Sequence, residues 1–72
     1  MKKIKKIKIK VNGNIKIIEA NSRLSNLINT LKIPINKVAI ELNQEILDKK
    51  KLKKIELKEN DKIEIVHFIG GG

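Results

Sequence analysis

The stretch Ile7-Lys8-Ile9-Lys10-Val11-Asn12-Gly13-Asn14-Ile15-Lys16-Ile17 consists of two alternating apolar–lysine runs separated by a turn triplet. Strict alternation marks half-buried strands, and a break of Asn and Gly between them marks a hairpin. The loop length decides which side chains share a face. A two-residue loop pairs Val11 with Asn14 and Ile9 with Lys16, setting lysine among the isoleucines of the first strand. A three-residue loop pairs Val11 with Ile15 and Ile9 with Ile17, and the shared face stays apolar. A slip of one residue turns every side chain over, so the apolar face predicts the three-residue loop.

Beyond the hairpin, Asn21 and Ser22 are both of the types that cap helix N-termini. Leu24, Leu27, Ile28 and Leu31 then recur at helical spacing as one apolar stripe. Lys32 falls in the expected last turn, and Pro34 forbids continuation, with Asn36 in the following loop. Val38, Ile40 and Leu42 alternate with Ala39 and Glu41 as a third strand, turned at Asn43-Gln44, and Ile46-Leu47 reads as a short fourth. Residues 48–54 are a charged loop with one helical turn, for which Leu52 and Ile55 are the inward anchors. Glu59-Asn60-Asp61 is a turn signal, and residues 63–69 form the last strand. The order β-β-α-β-β-β predicts an α+β domain, one helix packed across a mixed four- to five-stranded sheet. A single domain is expected over residues 1–69, with a glycine tail over 70–72.

Composition narrows the function. Seventy-two residues lie near the lower limit for a fold held by one apolar core. There is no Cys, which removes disulfides, thiolate metal sites and any persulfide chemistry on the chain itself. The net charge of +9 comes almost entirely from Lys and permits nucleic acid or an acidic partner. Readers of single strands also stack bases on aromatic rings, whereas Phe68 is the only aromatic here and Arg23 the only Arg. The lysines are therefore read as a solvated surface, and no nucleic-acid partner is expected. No apolar run approaches the roughly 20 residues that a bilayer requires, and no signal-peptide core follows the basic start. The expected location is the cytoplasm.

Few residues are arranged for chemistry. His67 is the sole His and cannot make a metal site without carboxylate help. Ser22 and Ser25 belong to the helix start, and no nucleophile elbow, P-loop or dinucleotide fingerprint occurs. The carboxylates are scattered among lysines. What remains is the ending, Ile63-Glu64-Ile65-Val66-His67-Phe68-Ile69-Gly70-Gly71-Gly72. Three glycines after a strand add nothing to a core, and they let a backbone thread into a narrow site with its carboxylate uncrowded. Ile63 and Ile65 are expected to face the helix. Glu64, Val66 and Phe68 would then face away, beside Ala39, as an apolar spot at the root of the tail.

The hairpin with Asn12-Gly13, the helix around 23–28, the strand Val38-Ala39-Ile40-Glu41-Leu42-Asn43 and the ending through Gly70-Gly71-Gly72 resemble the ThiS family of thiazole-biosynthesis sulfur carriers over residues 7–72. Lys2 to Lys6 look like an extension, and Arg23 stands where that family usually has Thr. The resemblance implies a ubiquitin-like β-grasp fold and a carrier, not an enzyme. It implies that an E1-like adenylyltransferase, using ATP and Mg²⁺, activates the Gly72 carboxylate. Sulfur from a persulfide donor such as a cysteine desulfurase then displaces AMP, and thiazole synthase consumes the resulting thiocarboxylate. Gly70 and Gly71 would thread the active site, and Ala39, Val66 and Phe68 would dock the enzymes. The chain itself would hold no cofactor or metal, and a monomer is expected when free. Two neighbouring readings are the molybdopterin-synthase small subunit and a ubiquitin-like modifier joined through Gly72.

Overall fold

The computed structural model describes residues 5–68. Its elements are β1 (Lys6–Val11), β2 (Asn14–Glu19), α1 (Leu24–Thr30), a 3₁₀ turn (Ile35–Lys37), β3 (Val38–Leu42), β4 (Glu45–Ile46), a 3₁₀ helix (Lys49–Lys54) and β5 (Lys62–His67). The five strands form one mixed sheet in the order β2-β1-β5-β3-β4, with β1 and β5 parallel and the other pairs antiparallel. This is the β-grasp arrangement that the sequence led us to expect. The last strand in the chain lies in the middle of the sheet.

One face of the sheet carries the core. Ile7 and Ile9 of β1, Val38 and Ile40 of β3, and Ile63 and Ile65 of β5 are buried against Leu24, Leu27 and Ile28 of α1. Burying side chains of this size stabilises by about 1.5–3 kcal/mol each. Leu52 of the 3₁₀ helix closes one end, as the anchor reading required, and Asp48 caps that helix by accepting from the Lys50 N–H at 2.9 Å. Leu57 is also fully buried, a role its sequence surroundings did not reveal. It is held by an isolated bridge, Arg23 opposite Glu56, in which the Leu57 N–H donates to the Ser22 carbonyl at 2.8 Å.

The hairpin corrects the expected register. Val11 is opposite Asn14 and Ile9 opposite Lys16, so the loop has two residues, Asn12 and Gly13. Their φ angles of 50° and 82° make the type I′ turn, whose twist matches that of the strands and which Asn-Gly favours. Turn chemistry outweighs the apolar pattern because β2 is an edge strand. Lys16 is half-buried on the inner face, which a long side chain tolerates because its stem can cover apolar surface while its charge reaches water. Ile15 and Ile17 face outward instead.

The helix start also differs. Arg23 occupies the N-cap with no side-chain capping bond, its guanidinium donating instead to the Lys54 carbonyl, Asn21 turns at φ 68°, and the Ser22 hydroxyl donates back to the Glu19 carbonyl. Neither Asn21 nor Ser22 caps the helix. Its end is a Schellman motif: Ile33 N–H to Ile28 carbonyl at 3.2 Å, and Lys32 N–H to Asn29 carbonyl at 3.1 Å. Lys32 adopts φ 57° there, just past the C-cap Leu31 and two residues beyond the helix rather than in its last turn. The fourth strand covers Glu45–Ile46, one residue earlier than read, and Asn36 lies within the 3₁₀ turn before β3.

Candidate functional site

β5 brings the chain end out of the middle of the sheet. Two asparagines in turns hold it from both sides. β1 pairs with β5 only at Lys10–Lys62 and Val11–Ile63 before the hairpin turns away. The Asn12 carboxamide then takes over, accepting from the Ile65 N–H at 2.7 Å and donating to the Ile65 carbonyl at 3.3 Å. Across the sheet, Asn43 accepts from the Lys62 N–H at 2.9 Å and donates to Asp61 Oδ1 at 3.0 Å. Both asparagines adopt left-handed φ, which their short polar side chains tolerate. Pairing with the β3 side continues to the last described residue, where the Phe68 N–H donates to the Lys37 carbonyl at 2.9 Å.

The outer face of the sheet carries the apolar spot that the alternation predicted. Ala39 is directly opposite Val66, which is 50% exposed, and Phe68 follows at 56% exposed. Phe68 does not complete the core. The Lys49 ammonium lies 5.3 Å from its ring centroid, at cation–π distance. Two further features were not read from the sequence. Ile46 is 75% exposed and is opposite Glu41, so it extends the apolar spot across β4. Glu41 is itself directly opposite Glu64. Like charges in that position repel. The β3–β4 turn could have given Ile46 away, since a two-residue Asn43-Gln44 loop brings it to the face of Glu41 and Ala39.

The other half of the same face differs in sign. Lys8 and Lys10 of β1 are opposite Ile17 and Ile15, and Lys62 is beside Lys10. The outer surface thus sets Glu41 against Glu64 between β3 and β5, and gathers Lys8, Lys10 and Lys62 near the hairpin.

The structure sets Ala39 opposite Val66 as expected, with Phe68 exposed two residues further on, whereas Gly70, Gly71 and Gly72 lie outside the described residues. His67 is exposed on β5 opposite Val38. Among the described residues no group of three His, Cys, Asp or Glu side chains could hold a metal ion. No helix among them is long and apolar enough to cross a membrane.

Comparison with known proteins agrees with this geometry. The crystal structure of the thiamine biosynthesis protein ThiS from Geobacter metallireducens superposes with a TM-score of 0.79 at 29% identity, over 92% of this chain and 100% of that one. The sulfur carrier protein ThiS of Bacillus subtilis is 51% identical over 35 residues, 49% of this chain and 53% of that protein. A thiazole synthase of Magnetococcus marinus is 39% identical over 66 residues, 92% of this chain but only 20% of that protein. A thiazole synthase of Paramagnetospirillum magneticum is 36% identical over the same shares. The chain therefore spans about a fifth of the length of the thiazole synthases it matches. The ThiS family model matches residues 5–72, and with it the chain belongs to the ThiS family.

Proposed function

We propose that this chain is a protein co-substrate that carries sulfur for thiamine thiazole formation on the carboxylate of Gly72. The supporting observation is the exit of the chain from central strand β5, beside exposed Val66 and Phe68. A carboxylate is a poor electrophile until one oxygen becomes a leaving group. In the proposed sequence an E1-like adenylyltransferase attaches AMP from ATP, with Mg²⁺, and releases pyrophosphate. The terminal sulfur of a persulfide donor, such as a cysteine desulfurase, displaces the AMP to give an acyl disulfide, and a second thiol outside this chain cleaves its S–S bond, leaving the donor oxidised as a disulfide. The product is a thiocarboxylate, which is nucleophilic at neutral pH without any thiol in the carrier, in keeping with a chain that has no Cys. A thiazole synthase is the proposed acceptor. Thiazole synthases that carry a segment like this chain over a fifth of their length support that choice.

The rigid body supplies proximity. Docking through Ala39, Val66 and Phe68 would hold Gly70 and Gly71 in the enzyme's channel and convert a bimolecular reaction into a local one. The Glu41–Glu64 pair offers a basic side chain of the enzyme a place between two carboxylates. These reactions belong to the cytoplasm in this reading.

Intact mass decides the matter. Incubation with the cognate activating enzyme, ATP and a persulfide donor should raise the mass by the difference between sulfur and oxygen. Deleting Gly72 should abolish that gain and leave the melting temperature unchanged, because Ile65 is the last buried core residue among the described ones. Absence of the gain in the intact chain sinks the proposal. Conjugates on other proteins would point instead to the modifier reading.

A further inference from the structure

The hairpin register that the sequence mispredicted leaves a second surface unused. β2 is an edge strand of six residues, and its outward side chains Ile15 and Ile17 are 61% and 56% exposed. The ladder also fixes where their backbones point. Ala20 donates to the Lys5 carbonyl at 2.8 Å, and bonding pairs alternate along an antiparallel ladder. Asn14, Lys16 and Ile18 therefore bond to β1, while Ile15 and Ile17 direct N–H and C=O to the open edge. The two exposed apolar side chains belong to the residues whose main chain has no strand partner among the described residues.

Open edges of this kind invite another strand, and natural proteins blunt them with charge, proline or a bulge. The only charge between the two isoleucines is Lys16, which turns to the helix side. There it lines a groove of about 90 Å³ with Ile18 and Leu27. On the outer face Lys8, Lys10 and Lys62 line a depression of about 390 Å³ beside Ile15. Positive charge thus borders the edge on both faces of the sheet.

The charge chooses the occupant. A second copy pairing edge to edge about Lys16 would set two ammonium groups opposite each other, and each copy carries a net +9. We propose that the β2 edge is a strand-acceptor site for an extended acidic segment of a partner protein. The segment reads apolar–acidic–apolar against Ile15, Lys16 and Ile17. Main-chain bonds supply attachment, as in other strand additions, and alternate side chains supply selectivity. The acidic residue meets Lys16 over the groove, and the apolar residues cover the isoleucines on the outer face. This surface is separate from the Val66–Phe68 spot, so the segment and an enzyme holding the tail could be bound together.

The test is a titration of the isotope-labelled full chain with a blocked peptide alternating glutamate and valine, followed by amide resonances. Shifts should concentrate on residues 14–18 and the adjacent β1, and rising salt should weaken them. Lys16→Glu should weaken binding by about tenfold or more, since a like charge then faces the segment. Ile15→Thr with Ile17→Thr should abolish binding while the rest of the spectrum stays folded. These variants should still gain sulfur at Gly72, which keeps this outcome distinct from that of the carrier reading. The proposal is overturned if saturating peptide moves nothing, or if the shifts centre on Val66 and Phe68. Equal binding of a lysine–valine peptide overturns it as well. So does a concentration-dependent shift of β2 without peptide, which would identify a second copy as the occupant.

Discussion

At the scale of single residues, Asn12 does with one carboxamide what a longer β1 would do with its main chain. Its two bonds to Ile65 lie partly out of water, so removing them strands a donor and an acceptor. Asn12→Ala should destabilise the domain by about 2 kcal/mol, counting both bonds and the left-handed φ that alanine tolerates poorly. Urea titration of the two proteins measures this, and a change under about 0.5 kcal/mol would mean the bonds count for little. The opposite change is available at Lys32 and Gln44, which hold φ of 57° and 74° without the glycine such positions favour. Lys32→Gly and Gln44→Gly should each stabilise by about 0.5–1 kcal/mol, after the greater freedom of glycine in the unfolded chain is subtracted. In a domain this small that is a rise of a few degrees in melting temperature. Phe68→Ala belongs here too. With its ring mostly in water, the substitution should change stability by no more than about 0.5 kcal/mol. It should weaken binding to the activating enzyme by about tenfold or more, as for an aromatic anchor. A collapsed melting temperature would mean that the ring supports the fold.

At the scale of elements, legibility followed periodicity. The stripe Leu24, Leu27, Ile28 and the alternation of β3 and β5 were plain because each element has one buried face and the period names it. Parity alone therefore brought Val66 next to Ala39. β2 misled because two local rules conflicted. Its apolar residues alternate like a core strand, yet Asn-Gly fixes a two-residue turn, and an edge strand can bear the lysine that results. Leu57 escaped notice because it lies outside any periodic run and is buried through a single bridge to Ser22 and Arg23. The roles of Asn12 and Asn43 were hidden for a related reason: a turn asparagine looks the same whether or not a distant strand takes its side chain. The Glu41–Glu64 pair could not be seen before the register of β3 on β5 was known. Glu64→Gln should relieve repulsion and stabilise by up to about 0.5 kcal/mol. The same change should weaken the activating enzyme several-fold if a basic side chain lies between the two carboxylates. Binding unchanged by Glu64→Gln would remove the pair from the docking surface.

At the scale of the whole molecule, charge is the largest departure from an ordinary small domain. A net +9 on 72 residues opposes compaction through self-repulsion. Added salt screens that repulsion, so the melting temperature should rise by a few degrees between about 0.01 M and 0.5 M sodium chloride. A falling or flat curve would mean that the scattered carboxylates already balance the lysines locally. The same excess gathers Lys8, Lys10 and Lys62 around the hairpin, while Glu41 and Glu64 face each other further along β5. One partner surface of a single sign could not suit both, which allows body and tail to be held by different proteins.

With no Trp or Tyr anywhere in the chain, Phe68 is its entire aromatic complement, standing in water at the root of the tail. The protein is consequently almost dark at the wavelengths used to follow protein absorbance. A fluorinated phenylalanine would give one ¹⁹F line from the ring beside the Lys49 ammonium, and each docking event there would be recorded against an empty background.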